Sequence, residues 1–163
     1  MAARRVWPPC ASVAAKPPPW RLNWSEAGRR FASMFSHVFM GVSDFDRALA
    51  FYRPVMDALG LQECFCEPER PWAGWHAESG QRPLFVIARP FEGAHAPGNG
   101  QMVAFAARSR NQVDDVHRLA TSLGGADEGA PGLRPEYHAH YYGAYFRDPD
   151  GNKLCVACHQ PEA

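Results

Sequence analysis

Apolar positions along the body of this chain alternate between two periods, and the same alternation occurs twice. Phe35–Val42 is rich in aromatic and β-branched residues and predicts a strand. Ser43, followed three positions later by Asp46, resembles a capping box, with the acid at the positive end of a helix. Phe45, Leu49, Tyr52, Met56 and Leu59 then fall on one helical face, and Gly60 ends the run. Pro54 lies inside it and removes one backbone donor, which predicts a kink. Three short strands are expected next, Leu61–Cys66, Trp72–Ala77 and Leu84–Arg89, before the Gly- and Pro-rich loop Phe91–Gly100.

The second half repeats the plan. Gln101–Ala107 reads as a strand, and Ser109 with Gln112 forms a second capping pattern. Val113, Val116, Ala120 and Leu123 make a helical stripe closed by Gly124 and Gly125. A short strand near Ala126–Gly129 is followed by Tyr141–Arg147 and Lys153–Cys158. Asp148-Pro149-Asp150-Gly151-Asn152 joins the last two as a hairpin turn. Each half is therefore β-α-β-β-β, offset by roughly 65 positions, a repeat of order and period more than of residue identity.

The first 33 residues differ from this body. They carry five prolines and three of the five tryptophans without apolar periodicity, and they read as a disordered Pro/Arg-rich extension. Met34 directly precedes the first strand, and the expected translation start is there; a functional N-terminal arm starting at Met1 is the alternative. One domain is expected over residues 34–160, with modules near 34–92 and 100–160.

Charge and cysteine content narrow the function classes. The 163 residues hold 17 basic and 17 acidic side chains; six of the bases and one of the acids lie in 1–33, leaving 11 against 16. A mildly acidic body argues against nucleic acid as partner, and no apolar run is long enough to span a membrane. Five cysteines, an odd number without zinc-finger spacing, and no secretory signal favour reduced thiols and a cytoplasmic location.

Two segments carry a family resemblance. Residues 36–52, Ser-His-Val-Phe-Met-Gly-Val-Ser-Asp-Phe-Asp-Arg-Ala-Leu-Ala-Phe-Tyr, and 141–159, Tyr-Tyr-Gly-Ala-Tyr-Phe-Arg-Asp-Pro-Asp-Gly-Asn-Lys-Leu-Cys-Val-Ala-Cys-His, resemble the vicinal oxygen chelate superfamily of glyoxalases, bleomycin and fosfomycin resistance proteins and extradiol dioxygenases. The resemblance covers essentially Met34 to His159 and implies an α+β fold of two βαβββ modules whose sheets curl into a cup. It also implies a homodimer and a small-molecule ligand.

The resemblance further implies a divalent metal (Zn, Ni, Mn or Fe) acting as a Lewis acid on neighbouring substrate oxygens. His37 occupies the first ligand position. Met102 and Cys155 stand where the others are usually His and Glu, and the fourth, near Phe85–Ile87, is apolar. A thioether is a poor ligand for a hard ion, so no cofactor is expected from the inherited set. His138, His140 and Glu136 are the residues that could replace the lost ligands.

The remaining candidates are weighed residue by residue. His37, Tyr142 and Cys155 are candidate catalytic groups; Cys155 is alternatively a small buried hydrophobe, as cysteines usually are. Period two puts Lys153, Cys155, Ala157 and His159 on one face. Met102 packs or lines an apolar cup. Arg134, Tyr137 and His138 read as a pocket rim or a plain surface loop, and Trp72 and Trp75 as cup wall or barrel plug. Two functions follow: a glyoxalase-like lyase or isomerase with a degenerate metal site, or a metal-free binding protein of the bleomycin-resistance type.

Overall fold

A computed structural model of the chain describes residues 35–77 and 82–162. The expectations for residues 1–33 and for a start at Met34 lie outside the described residues.

The first module runs β1 (His37–Gly41), α1 (Phe45–Ala58), β2 (Gln62–Glu67), β3 (Trp72–His76) and β4 (Leu84–Ala88). The second runs β5 (Val103–Ala106), α2 (Arg110–Ser122), β6 (Ala126–Leu133), β7 (Tyr142–Arg147) and β8 (Lys153–Cys158). Their sheets have the same topology, β1-β4-β3-β2 and β5-β8-β7-β6. In each, the first strand pairs parallel with the last and the other pairings are antiparallel. The repeat read from hydrophobic periodicity is thus a repeat of hydrogen-bonding order. The two sheets are separate, four strands each, and are not closed into one.

Local chemistry accounts for the helix boundaries. The cap of α1 is Asp44, not Ser43: its carboxylate accepts from the Arg47 N–H at 3.0 Å, and the Ser43 hydroxyl donates to Asp150 instead. Asp accepts at an N-cap at least as well as Ser, and its charge suits the helix dipole. The helix continues through Pro54 to Ala58 and stops at Gly60, whose φ of 74° suits glycine. Ser109 caps α2 as expected, accepting from Gln112 N–H at 3.2 Å. β6 is longer than expected, because irregular pairing around Gly129 lets the strand resume and reach Leu133.

One core serves both modules. Val38, Met40, Ala73, Trp75, Phe85 and Ile87 of the first sheet belong to the same apolar cluster as Ala144, Phe146, Leu154 and Val156 of the second, with Phe51, Tyr52, Val113 and Val116 from the helices. Because side chains alternate along a strand, the intervening residues occupy the opposite face of each sheet. That face carries His37, Phe39 and Trp72 in the first module and Tyr145, Arg147, Lys153 and Cys155 in the second.

Candidate functional site

The β7–β8 hairpin builds one wall of a recess. The turn between its strands is closed by Asp148 N–H to Asn152 O at 3.0 Å and Gly151 N–H to Asp148 O at 2.9 Å, with Gly151 at φ 87°. It fixes a register in which Arg147 faces Lys153, Tyr145 faces Cys155 and Gly143 faces Ala157. Tyr145, Arg147 and Lys153 form one wall of a cleft of about 620 Å³, and Gly98, Asn99, Gln101 and Met102 approach from the loop before β5, with Tyr137 on the rim.

Tyr141, just before β7, shapes this wall. A Cβ at Gly143 would lie 2.8 Å from the Tyr141 ring, so glycine is what lets the ring lie against the strand. Its hydroxyl sits 3.5 Å from Cys155 Sγ. The first module has the same device, with the Phe65 ring over Gly74. Burial holds the Tyr141 hydroxyl well above its ordinary range, and Cys155 adds to this. Burial also raises Tyr145, which interacts with both Tyr141 and Tyr137.

The charges are unequal. Arg147 Nε donates to Glu128 at 2.7 Å, and Lys153 approaches the same carboxylate at 3.3 Å. These two cations, Arg147 first, hold Glu128 below the usual carboxylate range. Arg134 donates to two backbone carbonyls, Leu133 O at 3.1 Å and Ala130 O at 2.9 Å. The Arg134 guanidinium and the Lys153 ammonium stand 5.8 and 5.9 Å from the Tyr145 ring centre.

The positions that the family resemblance assigns to metal ligands lie on different sheets and differ in exposure. His37 is exposed on β1, with Ser36 Oγ 3.3 Å from its Nδ1, and pairs across to Leu84 in the first sheet. Met102, 45% exposed, precedes β5 in the second. Cys155 is fully buried, and that burial raises its thiol above the ordinary value despite opposing effects of Tyr141, Arg134 and Lys153. A protonated, enclosed thiol is neither a ready ligand nor a nucleophile. Among the described residues no three His, Cys, Asp or Glu side chains are grouped to hold a metal ion. A lone imidazole, a thioether and a covered thiol do not fit a divalent-metal centre.

Three other candidates lie away from the cleft. Tyr142 faces α2, donating to Asp114 at 2.8 Å with the Arg110 guanidinium over its ring. Trp75 is 2% exposed and packs in the core near Tyr52 and Phe85. Trp72 lies on the outer face of the first sheet, with Phe65 at 4.8 Å and Arg70 over its ring, apart from the cleft.

His138 forms a separate pair with His159: Nε2 to Nδ1 at 2.9 Å, rings stacked, Tyr141 edge-on to both. The His140 N–H donates to His138 Nδ1 at 3.2 Å, so in the neutral ring Nε2 carries the proton and donates to His159. Of the expected binding residues, the structure brings Met102 and Tyr137 to the cleft and Arg134 over Tyr145. The sequence reading did not single out Tyr141, Tyr145, Arg147 or the 97–101 loop. The hairpin register was available as a signal: a turn over 148–152 puts 147 opposite 153, and hence 145 opposite 155.

Comparison with known proteins agrees with this architecture. A crystal structure of a glyoxalase/bleomycin resistance protein from Albidiferax ferrireducens T118 is 34% identical, with a TM-score of 0.69, over 77% of this chain and 99% of that one. More distant matches share the fold. One is a glyoxalase-related enzyme from Fulvimarina pelagi at 17% identity and TM-score 0.58, over 76% of this chain and 86% of that one. Another is the fosfomycin resistance protein FosX from Listeria monocytogenes at 17% and 0.56, over 78% and 92%. No functionally curated protein matches the chain. The profile of one family aligns with residues 34–156, the span of both modules, and by that match the chain belongs to the Glyoxalase/Bleomycin resistance protein/Dioxygenase superfamily.

Proposed function

We propose that this protein holds a small molecule in the cleft between the β7–β8 hairpin and the 97–102 loop, as a binding protein of the bleomycin-resistance type rather than a metal-dependent lyase. The observation that carries this reading is the separation of two features. A recess of about 620 Å³ with tyrosine, cationic and amide groups in its walls stands in the second module, while His37, the one inherited ligand position that keeps its histidine, stands exposed on the first sheet. A recess of this size suits a drug-sized or smaller ligand.

Pairing of two copies of the chain belongs to the same reading. It is supported by apolar side chains left open on the first module, Phe35 at 57%, Phe39 at 38% and Phe91 at 75% exposure, the last two stacked at 5.3 Å.

The test is a ligand-observed NMR screen of small aromatic and polar compounds against the full chain, repeated with Tyr145→Ala. Compounds that bind the native protein and lose at least about tenfold in affinity to the variant support the reading. Binders indifferent to Tyr145→Ala overturn the cleft assignment. Turnover of a bound carbonyl compound on addition of Zn, Ni, Mn or Fe would replace it with the lyase reading.

A further inference from the structure

We infer that the ligand of this cleft is a small organic anion, recognised through Arg147 and Lys153 with its apolar body against Tyr145 and Met102. The inference rests on the binding reading above and names its substrate class.

The first ground is charge. Three cations, Arg134, Arg147 and Lys153, gather around the Tyr145 ring and the cleft wall. One carboxylate, Glu128, serves two of them. Asp127 pairs with His117, Asp148 with Tyr52 and Asn152, and Asp150 with Arg47, and among the described residues no acidic side chain lines the cleft itself. Glu136 stands exposed beside Arg134 and Tyr137 in the chain without an ion pair among the described residues.

The second ground is unspent donors. Arg147 uses Nε on Glu128 and Nη1 on Gly151 O, and Lys153 makes one bond to Glu128. A guanidinium has five N–H donors and an ammonium three, so both keep donors for a further acceptor. Their side chains are 36% and 34% exposed, half-withdrawn from solvent, where a charge-assisted bond is worth more than at an open surface. Asn99 and Gln101 add neutral polar groups.

The third ground is the apolar edge. Met102 and Tyr137, 45% and 62% exposed, border the same cleft and offer an adaptable thioether and a flat ring. An oxyanion alone would leave them uncovered; a planar body carrying one acidic group covers them.

The experiment is calorimetric titration of the full chain with benzoate, with its neutral isostere benzamide and with inorganic phosphate. Benzoate should bind at least about tenfold more tightly than benzamide and weaken as sodium chloride is raised. Lys153→Gln should abolish that preference, and Lys153→Arg should largely restore it, which separates charge from damage to the fold. Phosphate competing with benzoate supports the same oxyanion seat and extends it to phospho-compounds. Equal binding of benzoate and benzamide overturns the anion assignment while leaving the binding reading in place. A preference that survives Lys153→Gln, or no binding of either benzoate or phosphate, overturns it as well.

Discussion

The Tyr52 hydroxyl donates to Asp148 Oδ2 at 2.7 Å, joining the first helix to the last hairpin across 96 positions. Asp148 is 3% exposed and also accepts from Asn152 Nδ2 and from the backbone N–H groups of Asp150 and Asn152. Four donors fill the acceptor capacity of one carboxylate. Tyr52→Phe should therefore cost about 1–2 kcal/mol, the effect of leaving one buried site short of a partner. Asp148→Asn should cost more, roughly 2–3 kcal/mol, because an amide N–H₂ must then face donors. Urea unfolding of both variants checks the order; a larger loss for Tyr52→Phe would contradict it.

Alkaline stability follows from the buried tyrosines. Burial, then Asp148, raises Tyr52 well above its ordinary value; burial also raises Tyr141 and Tyr145. An unfolded tyrosine ionises near 10. The folded state thus holds protons that the unfolded state releases, so the contribution is complete below about pH 10 and is lost as pH rises beyond it. Urea midpoints at pH 8, 9.5 and 11 should fall over the last interval, with phenolate absorbance appearing as the protein unfolds. Tyrosine ionisation of these groups in the still-folded protein near pH 10 would refute the assignment.

The acid limb has the opposite sign. Arg147 and Lys153 hold Glu128 below its ordinary value, so its contribution is present above the unfolded carboxylate range, near 4.3, and fades as pH falls through the lower folded value. Glu128→Gln should flatten the decline in stability below pH 5, measured by the same midpoints; an unchanged slope would remove Glu128 from the account.

Thiol reactivity reports the Tyr141 lid directly. Cys155 is fully buried with a raised thiol, so iodoacetamide at pH 7.5 should label it only after denaturation. Gly143→Ala places a methyl group 2.8 Å from the Tyr141 ring, which must swing away. Peptide mapping of that variant should find Cys155 labelled in the folded protein at least about tenfold faster, since exposure and thiolate fraction both rise. Unchanged labelling would mean the ring is not what covers the sulfur.

The modules were legible in the sequence because period and punctuation agree there: two helical stripes, two terminating glycines and a five-residue turn leave little choice of element order. The faces were harder to read. In Tyr141-Tyr142-Gly143-Ala144-Tyr145-Phe146 both parities are aromatic, so alternation separates two faces without saying which one the helix covers. Tyr142 goes to α2 and Tyr145 to the cleft because Phe146 and Leu154, opposite each other in the hairpin, are drawn into the core. The same ambiguity sits at Trp72 and Trp75, three apart and therefore on opposite faces. That Arg147 and Lys153 line the cleft with no acidic side chain among the described residues was invisible in a net charge of zero, since it depends on which residues the fold brings together there.

The amide of Asn152 donates to Gly41 O at 2.9 Å, 111 positions earlier, so the end of the first strand is completed by a residue of the last hairpin. On a ribosome, about 100 residues take roughly 5–20 s to synthesise. Through that interval the aromatic strand and helix of the first module wait with the Gly41 carbonyl unpartnered by Asn152 and a shared core half absent. The turn at 148–152 therefore sets the moment when folding can complete, and nascent chains stopped before it should be the ones that chaperones hold.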